Sequence, residues 1–380
     1  MGPDRITWLS AAITVLLAMP PSPAVAAPDE EARQVSAVPD AVPDIRDDET
    51  KLKLQKGDFV VVPIPMSNPT LGTGLVLGAA YFYSQTEAEK KAQPASVTAA
   101  AALYTSNKSG AYGVVQQNYW DENKWRFTGV AGHVNLRLDL LTPEDSDQSS
   151  TVSWLLNGNF LQAKLSRRIA GEWYAGIKAR FIEMSQEFGV DPDDSDFGTE
   201  PDGTVTGVGI VAEFDSRDAP FYSRSGKIFN IDVLFNHETF DIGSDYQSFS
   251  TSYRSYHQLG SPFVLAWEIQ GCARSGEAPL WDSCRIDLRG FPATDYLGNG
   301  SASGQAELRW QFHRKWGAVA FAGAGYIRNS FSQHRDREAI PSYGLGLRFS
   351  VLDSQGINMR LDYARSVDSD AVYLSVGEAF

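Results

Sequence analysis

The chain has 380 residues, a formal net charge of −14, 43% hydrophobic and 21% charged residues, and two cysteines. That acidic balance, with no basic stripe to neutralise phosphates, excludes nucleic acid as a partner. Beyond residue 26 no segment approaches the ~20 continuous apolar residues of a spanning helix, so only a closed barrel of strands could carry the mature chain across a bilayer.

Residues 1–26 have the layout of a secretory signal peptide: Arg5 in a short n-region, an apolar run from Trp8 to Met19, and Ala24-Val25-Ala26 as a small-residue cleavage site. The run is too short to span comfortably as an anchor. Residues 27–56 are rich in Ala, Pro, Asp and Glu without periodicity and read as a disordered periplasmic leader. A folded domain does not fit there.

From residue 57 to 380 the pattern changes to segments of about ten residues separated by turn chemistry. Sixteen strands are expected, at 58–65, 71–84, 96–105, 111–120, 124–138, 150–166, 172–187, 204–215, 226–240, 246–259, 262–272, 304–312, 316–328, 341–352, 356–365 and 370–380. Several alternate cleanly. Ala306, Leu308, Trp310 and Phe312 point one way, and Gln305, Glu307, Arg309 and Gln311 the other. Tyr343, Leu345, Leu347 and Phe349 likewise oppose Gly344, Gly346 and Arg348. Alternation is poor across 111–134, where Gly129 suggests a bulge that switches face.

A soluble sandwich would alternate in the same way. Three features favour a transmembrane antiparallel barrel with apolar residues outside and polar residues in the lumen. Short connections alternate with long ones at 139–149, 188–203, 273–303 and 329–340. Trp120, Trp125, Trp154, Trp173 and Trp316 cluster near strand ends, as an interfacial girdle would. The chain stops on a strand ending in Phe380, with Leu374 and Val376 on one face. An all-β barrel in the outer membrane of a Gram-negative cell follows, with both termini periplasmic and 273–303 outside. Outer-membrane lipid and lipopolysaccharide are then its surroundings; the oligomeric state stays open.

The first strand carries Pro63 and Pro65, which donate no ladder hydrogen bond. Because first and last strands meet at one seam, that seam should be poorly bonded. Cys272 and Cys284 are expected to form a disulfide, the default in an exported chain, worth about 3 kcal/mol for so short a loop. No metal or cofactor is expected. His133, His237, His257, His313 and His334 are scattered, and the acidic run 191–196 lacks the glycine and glutamate of an EF-hand. A barrel lipase would need a Ser and an oriented His, and nothing local supports such a triad.

Leu288-Arg-Gly-Phe in a long loop, the following Glu-Leu-Arg strand, Phe321-Ala-Gly-Ala-Gly, Gly-Leu-Gly-Leu-Arg, Arg360-Leu-Asp-Tyr-Ala and the final Val-Gly-Glu-Ala-Phe form an ordered set. Together they resemble the bacterial surface-antigen superfamily, which includes outer-membrane assembly factors of the BamA/TamA type. Asp215-Ser-Arg-Asp-Ala-Pro-Phe-Tyr-Ser-Arg-Ser-Gly resembles its periplasmic turn between middle strands. The resemblance covers residues 57–380. It implies a 16-stranded barrel whose long loop folds into the lumen, with Arg289, Gly290 and Phe291 as the motif tip and Glu307 as partner of Arg289. The family's strand aspartate is replaced by Gly323, so the loop should be held more loosely or by another carboxylate such as Asp362. The periplasmic polypeptide-transport-associated domains of those factors do not fit in residues 27–56. The implied activity is assistance to insertion or translocation of nascent outer-membrane or exported polypeptides through a weak first–last seam. The alternative is a passive pore or structural barrel. No enzymatic activity is expected.

Overall fold

The computed structural model describes residues 59–141, 151–189, 198–219, 222–238, 245–330, 339–352, 357–367 and 369–380. The expected signal peptide, the leader and the acidic run 191–196 lie outside the described residues, as do most of the expected long loops 139–149, 188–203 and 329–340.

Seventeen strands form one sheet. They are β1 (Phe59–Asn68), β2 (Gly72–Phe82), β3 (Val97–Thr105), β4 (Gly110–Trp120), β5 (Trp125–Leu141), β6 (Thr151–Ala170), β7 (Trp173–Gly189), β8 (Gly198–Asp215), β9 (Gly226–Glu238), β10 (Asp245–Gly260), β11 (Phe263–Gly276), β12 (Cys284–Arg285), β13 (Leu297–Gln311), β14 (Trp316–Ser330), β15 (Ile340–Leu352), β16 (Ile357–Arg365) and β17 (Asp370–Val376). Each ring strand pairs antiparallel with its sequence neighbour, and β11 pairs directly with β13. The two-residue β12 sits outside the ring, so the barrel is closed by sixteen strands, as expected. An even number of antiparallel strands brings the starts of β1 and the end of β17 to the same end of the barrel. The short connections 121–124, 171–172, 261–262 and 312–315 lie at that end too. A capped helix, α1 (Glu87–Ala92), fills the β2–β3 connection there; the sequence reading had placed no helix at this point.

The outer face is apolar. Leu77, Tyr104, Ile177, Val208, Ile210, Phe235, Ile269, Leu345 and Leu361 are all exposed, while their strand neighbours turn inward. Such a band is stable only against hydrocarbon. Trp120, Trp173, Trp310 and Trp316 are exposed next to the short turns and form the girdle at that end. Trp154 does not belong to it. It is 0% exposed, points inward and stacks on Phe188. Replacing Leu345, 67% exposed near the middle of β15, with arginine should weaken the barrel by about 2–4 kcal/mol in a bilayer. Leu345→Ala should do far less, and urea titration in vesicles separates the two.

The inner wall departs from the expected polar lumen. Along much of β2–β7 the inward residues are apolar as well: Val76, Phe82, Val97, Leu103, Val134, Leu156, Phe160 and Ile182 join Ile64 of β1 in one buried cluster. Fully buried charge is concentrated on the wall built by β7–β17, including Lys178, Arg180, Glu268, Glu307, Arg309, Arg348 and Asp362, while Arg126 of β5 and Lys164 of β6 pair with Glu213 of β8. The poor alternation across 111–134 has this cause. Both faces of those strands mix apolar, small and polar residues, and β4–β5 and β5–β6 run in unbroken register through Gly129, so no bulge lies there. The apolar half packs as a core, reaching Trp281 and Leu297 at the lumen loop.

The seam is where the ring is weakest. β1 pairs with β2 along its whole length but meets β17 at a single pair, Ser67 with Leu374. Pro63 and Pro65 share the same parity, so their two missing N–H groups fall on one edge of β1. The β1–β2 ladder runs past both without a shift. The last strand also ends earlier than expected. It stops at Val376, Gly377 turns with φ +95°, and the tail leaves the sheet, so Phe380 does not continue the Leu374–Val376 face. Continuing the register of Ser67 and Leu374 would set Val376 opposite Pro65 and Glu378 opposite Pro63.

Candidate functional site: a latched loop beside an open seam

Residues 277–296 connect β11 to β13 and fold into the lumen. Trp281, Asp282, Ile286, Arg289 and Phe291 are all buried. Cys272 and Cys284 are joined by a disulfide, S–S 2.02 Å, which ties the loop to the end of β11. The β12 pair Cys284–Arg285 then lies beside Leu297 and Gly298, so the loop enters the lumen as a short inner strand.

The tip is held by its motif residues. Arg289 donates from Nε to Gln305 Oε1 at 2.9 Å, from Nη2 to Glu307 Oε2 at 2.7 Å and from Nη1 to Asp362 Oδ2 at 2.9 Å. Its guanidinium carbon lies 3.5 Å from the centroid of the Phe321 ring. A planar fork with donors on several sides suits such a set of acceptors. The aspartate replaced by Gly323 is therefore made up by Gln305, by Asp362 and by an aromatic face. Gly346 stands opposite Asp362, and a Cβ there would collide with the carboxylate, so this glycine makes room for the anchor. Gly290 has φ +100°; its N–H donates to the Tyr373 hydroxyl at 2.8 Å, and its carbonyl accepts from Ser369 Oγ at 2.6 Å. Phe291 packs edge-on against Tyr296 within a cluster that includes Ile286, Leu288, Ile327 and Ile340.

The ionic wall continues from the tip to the seam. Arg309 donates to Glu307 at 2.6 Å, to the terminal carboxylate of Phe380 at 2.8 Å and to the Ser223 carbonyl at 3.4 Å. One side chain thus joins β13, the Asp215–Gly226 connection and the tail. Arg348 pairs with Asp362 and, at 2.7 Å, with Glu378, whose other oxygen accepts from Asn358 at 2.8 Å. Burial alone would raise the Glu378 carboxyl, but Arg348 and then Arg309 hold it below its ordinary value.

A second anchor was not foreseen. Asp282, in a single 3-10 turn just before Cys284, accepts from Arg180 at 2.6 Å, from Arg274 at 3.2 Å and from the Tyr246 hydroxyl at 2.7 Å. Arg274 also donates to the Asp282 carbonyl at 2.8 Å, and Arg180 to Asn236 at 2.9 Å. Burial would raise the Asp282 carboxyl; Arg180 and Arg274 bring it well below the usual carboxylate range. The signal available in the sequence was the inward parity of Arg180 on β7 and Arg274 on β11, two cations needing an anion from elsewhere.

Pro63 and Pro65 do not contribute to this network; they stand on the seam edge of the opposite strand. Leu374 supplies the one ladder pair across the seam, and Val376 is the last strand residue. Among the described residues no group of His, Cys, Asp and Glu could hold a metal ion.

No protein-family profile matches the sequence, and no curated protein sequence matches it. Solved structures do share its fold. A BamA from Haemophilus ducreyi lacking POTRA domains 1–3 superposes with a TM-score of 0.58 at 10% identity, over 84% of this chain and 70% of that one. CdiB from Acinetobacter baumannii gives 0.56 at 12%, over 85% of this chain and 60% of that one, and CdiB from Escherichia coli 0.52 at 11%, over 86% and 68%. The barrel fold is therefore that of BamA and CdiB.

Proposed function

We propose that this chain is a Gram-negative outer-membrane barrel that assists the insertion or translocation of polypeptides, with the β1–β17 seam as its working edge. The observation that carries the reading is the single ladder pair between those strands in an otherwise continuously paired ring. Unpaired strand edges are costly in hydrocarbon, and an edge already open offers an incoming strand its missing partners. The fold shared with BamA and CdiB supports the same reading. In this arrangement the end bearing both termini and the short turns faces the periplasm, and the apolar band meets outer-membrane lipid and lipopolysaccharide.

Cysteines at Ser67 and Leu374 would tie the seam where the strands already touch. In liposomes, the oxidised Ser67→Cys, Leu374→Cys protein should fail to promote insertion of an unfolded outer-membrane barrel, and reductant should restore it. Full activity in the oxidised form would remove the seam from the mechanism. The passive-pore alternative gains no support from the lumen, whose apolar half is packed and whose charged half is occupied by the latched loop. A steady, ion-selective conductance unaffected by Arg289→Ala would nonetheless favour it.

A further inference from the structure

On the charged wall beside the seam one arginine is left without a bonded partner. Arg289, Arg309, Arg348 and Arg360 face Glu307, Asp362, Glu378 and the terminal carboxylate of Phe380, which accepts from Arg309. Both oxygens of each side-chain carboxylate are already taken, those of Glu307 by Arg309 and Arg289, those of Asp362 by Arg348 and Arg289, those of Glu378 by Arg348 and Asn358. Arg360 has no hydrogen bond or ion pair among the described residues, and its Nε and Nη1 are shut off from solvent. It is also directly opposite Arg348 across the β15–β16 ladder, with Ser375 of β17 on its other side. Like charges directly opposed in a sheet repel, and an unpaired buried charge carries an uncompensated desolvation cost.

The neighbouring arginine shows what such a position takes. Arg348 receives the carboxylate of Glu378 from a segment that has left the sheet after β17. Arg360 lies one strand in from the free edge of β17, within reach of a second segment lodged at the seam. We propose that Arg360, with Arg348 and Ser375, forms a carboxylate seat on the inner wall, and that its ligand is an acidic group of a polypeptide strand held at the seam. This rests on the polypeptide-handling reading above and names the chemistry it selects.

The test uses the purified full chain in detergent micelles and a short fluorescent alternating valine–threonine peptide with blocked ends and one central glutamate, against its glutamine analogue. By anisotropy, the glutamate peptide should bind about tenfold more tightly than the analogue, as a charge-assisted hydrogen bond implies. Arg360→Gln should abolish that preference, and Arg360→Lys should retain most of it. Arg360→Gln should unfold at the same or higher denaturant concentration than the parent, because an unpaired charge is removed, so lost preference cannot be ascribed to lost folding. Equal binding of the two peptides to the parent overturns the seat while leaving the polypeptide reading intact. Binding of neither overturns the seat together with that reading. Displacement of the glutamate peptide by inorganic phosphate at lower concentration than by acetate overturns the assignment to a carboxylate.

Discussion

Arg289→Ala is expected to lower the unfolding free energy of the barrel by about 3–5 kcal/mol and to free the tip of the lumen loop. The size follows from what is left behind. Glu307 and Asp362 are fully buried, and each would lose one of its two guanidinium partners, while Gln305 would lose the donors that occupy its carbonyl oxygen. Removing one side of a buried ion pair leaves an uncompensated charge, a larger loss than the pair's own contribution to stability. The Phe321 ring would also lose the cation stacked on it. Arg289→Lys should recover only part of the loss, since an ammonium cannot reach three acceptors in different directions. Urea unfolding in a fixed detergent measures the change, and limited trypsin digestion at Arg285 reports whether the loop has left the lumen. A parent-like transition in Arg289→Ala would mean that the apolar packing of Ile286, Leu288 and Phe291 holds the tip unaided.

Asp282→Ala should be comparably damaging, again about 3–5 kcal/mol, because Arg180 and Arg274 would be left buried without their shared anion. The pH dependence gives an independent check. The folded-state pKa of Asp282 is depressed, so its contribution to stability is present above the ordinary aspartate value and is lost as pH falls through the lower folded value. Unfolding midpoints of the parent should therefore hold through mildly acidic solution and fall only in stronger acid. Asp282→Asn should shrink that acid limb by the share Asp282 contributes, leaving the part due to the other paired carboxylates such as Glu378. Loss of the parent's stability at the ordinary aspartate pKa would contradict the arrangement. The double variant Arg289→Ala, Asp282→Ala then asks whether the two anchors act as one unit, since a shared loop makes their effects non-additive.

The ring itself was legible in the sequence because a barrel strand writes its two faces in alternate residues, and β13 through β16 do so plainly. The ends were not. β8, β11 and β13 run past their expected limits, because pairing with a neighbour extends a strand beyond the residues that alternate. The character of the inner wall could be read only where it is charged. Along much of β2–β6 small and apolar residues occupy both faces, and little local to them distinguishes lipid from packed interior. Arg289, Glu307 and Asp362 could be linked through a resemblance. Asp282 could not, since its partners come from β7, β10 and β11 and meet it only when the loop has folded back. The end of β17 was misread for a related reason. Val-Gly-Glu-Ala-Phe looks strand-like, yet a glycine with positive φ and an acidic residue claimed by Arg348 take it out of the sheet.

Closing a sheet into a barrel normally abolishes edges, and this one leaves an edge almost unpaired at the seam. Two copies in the same bilayer could zip together there, and a third could add to them, growing a row of barrels instead of a dispersed population. Pro63 and Pro65 blunt that hazard by denying a neighbouring copy two donors on the same edge. On this view the prolines guard against self-association, and restoring ordinary residues at both positions would trade a dispersed protein for a clustered one.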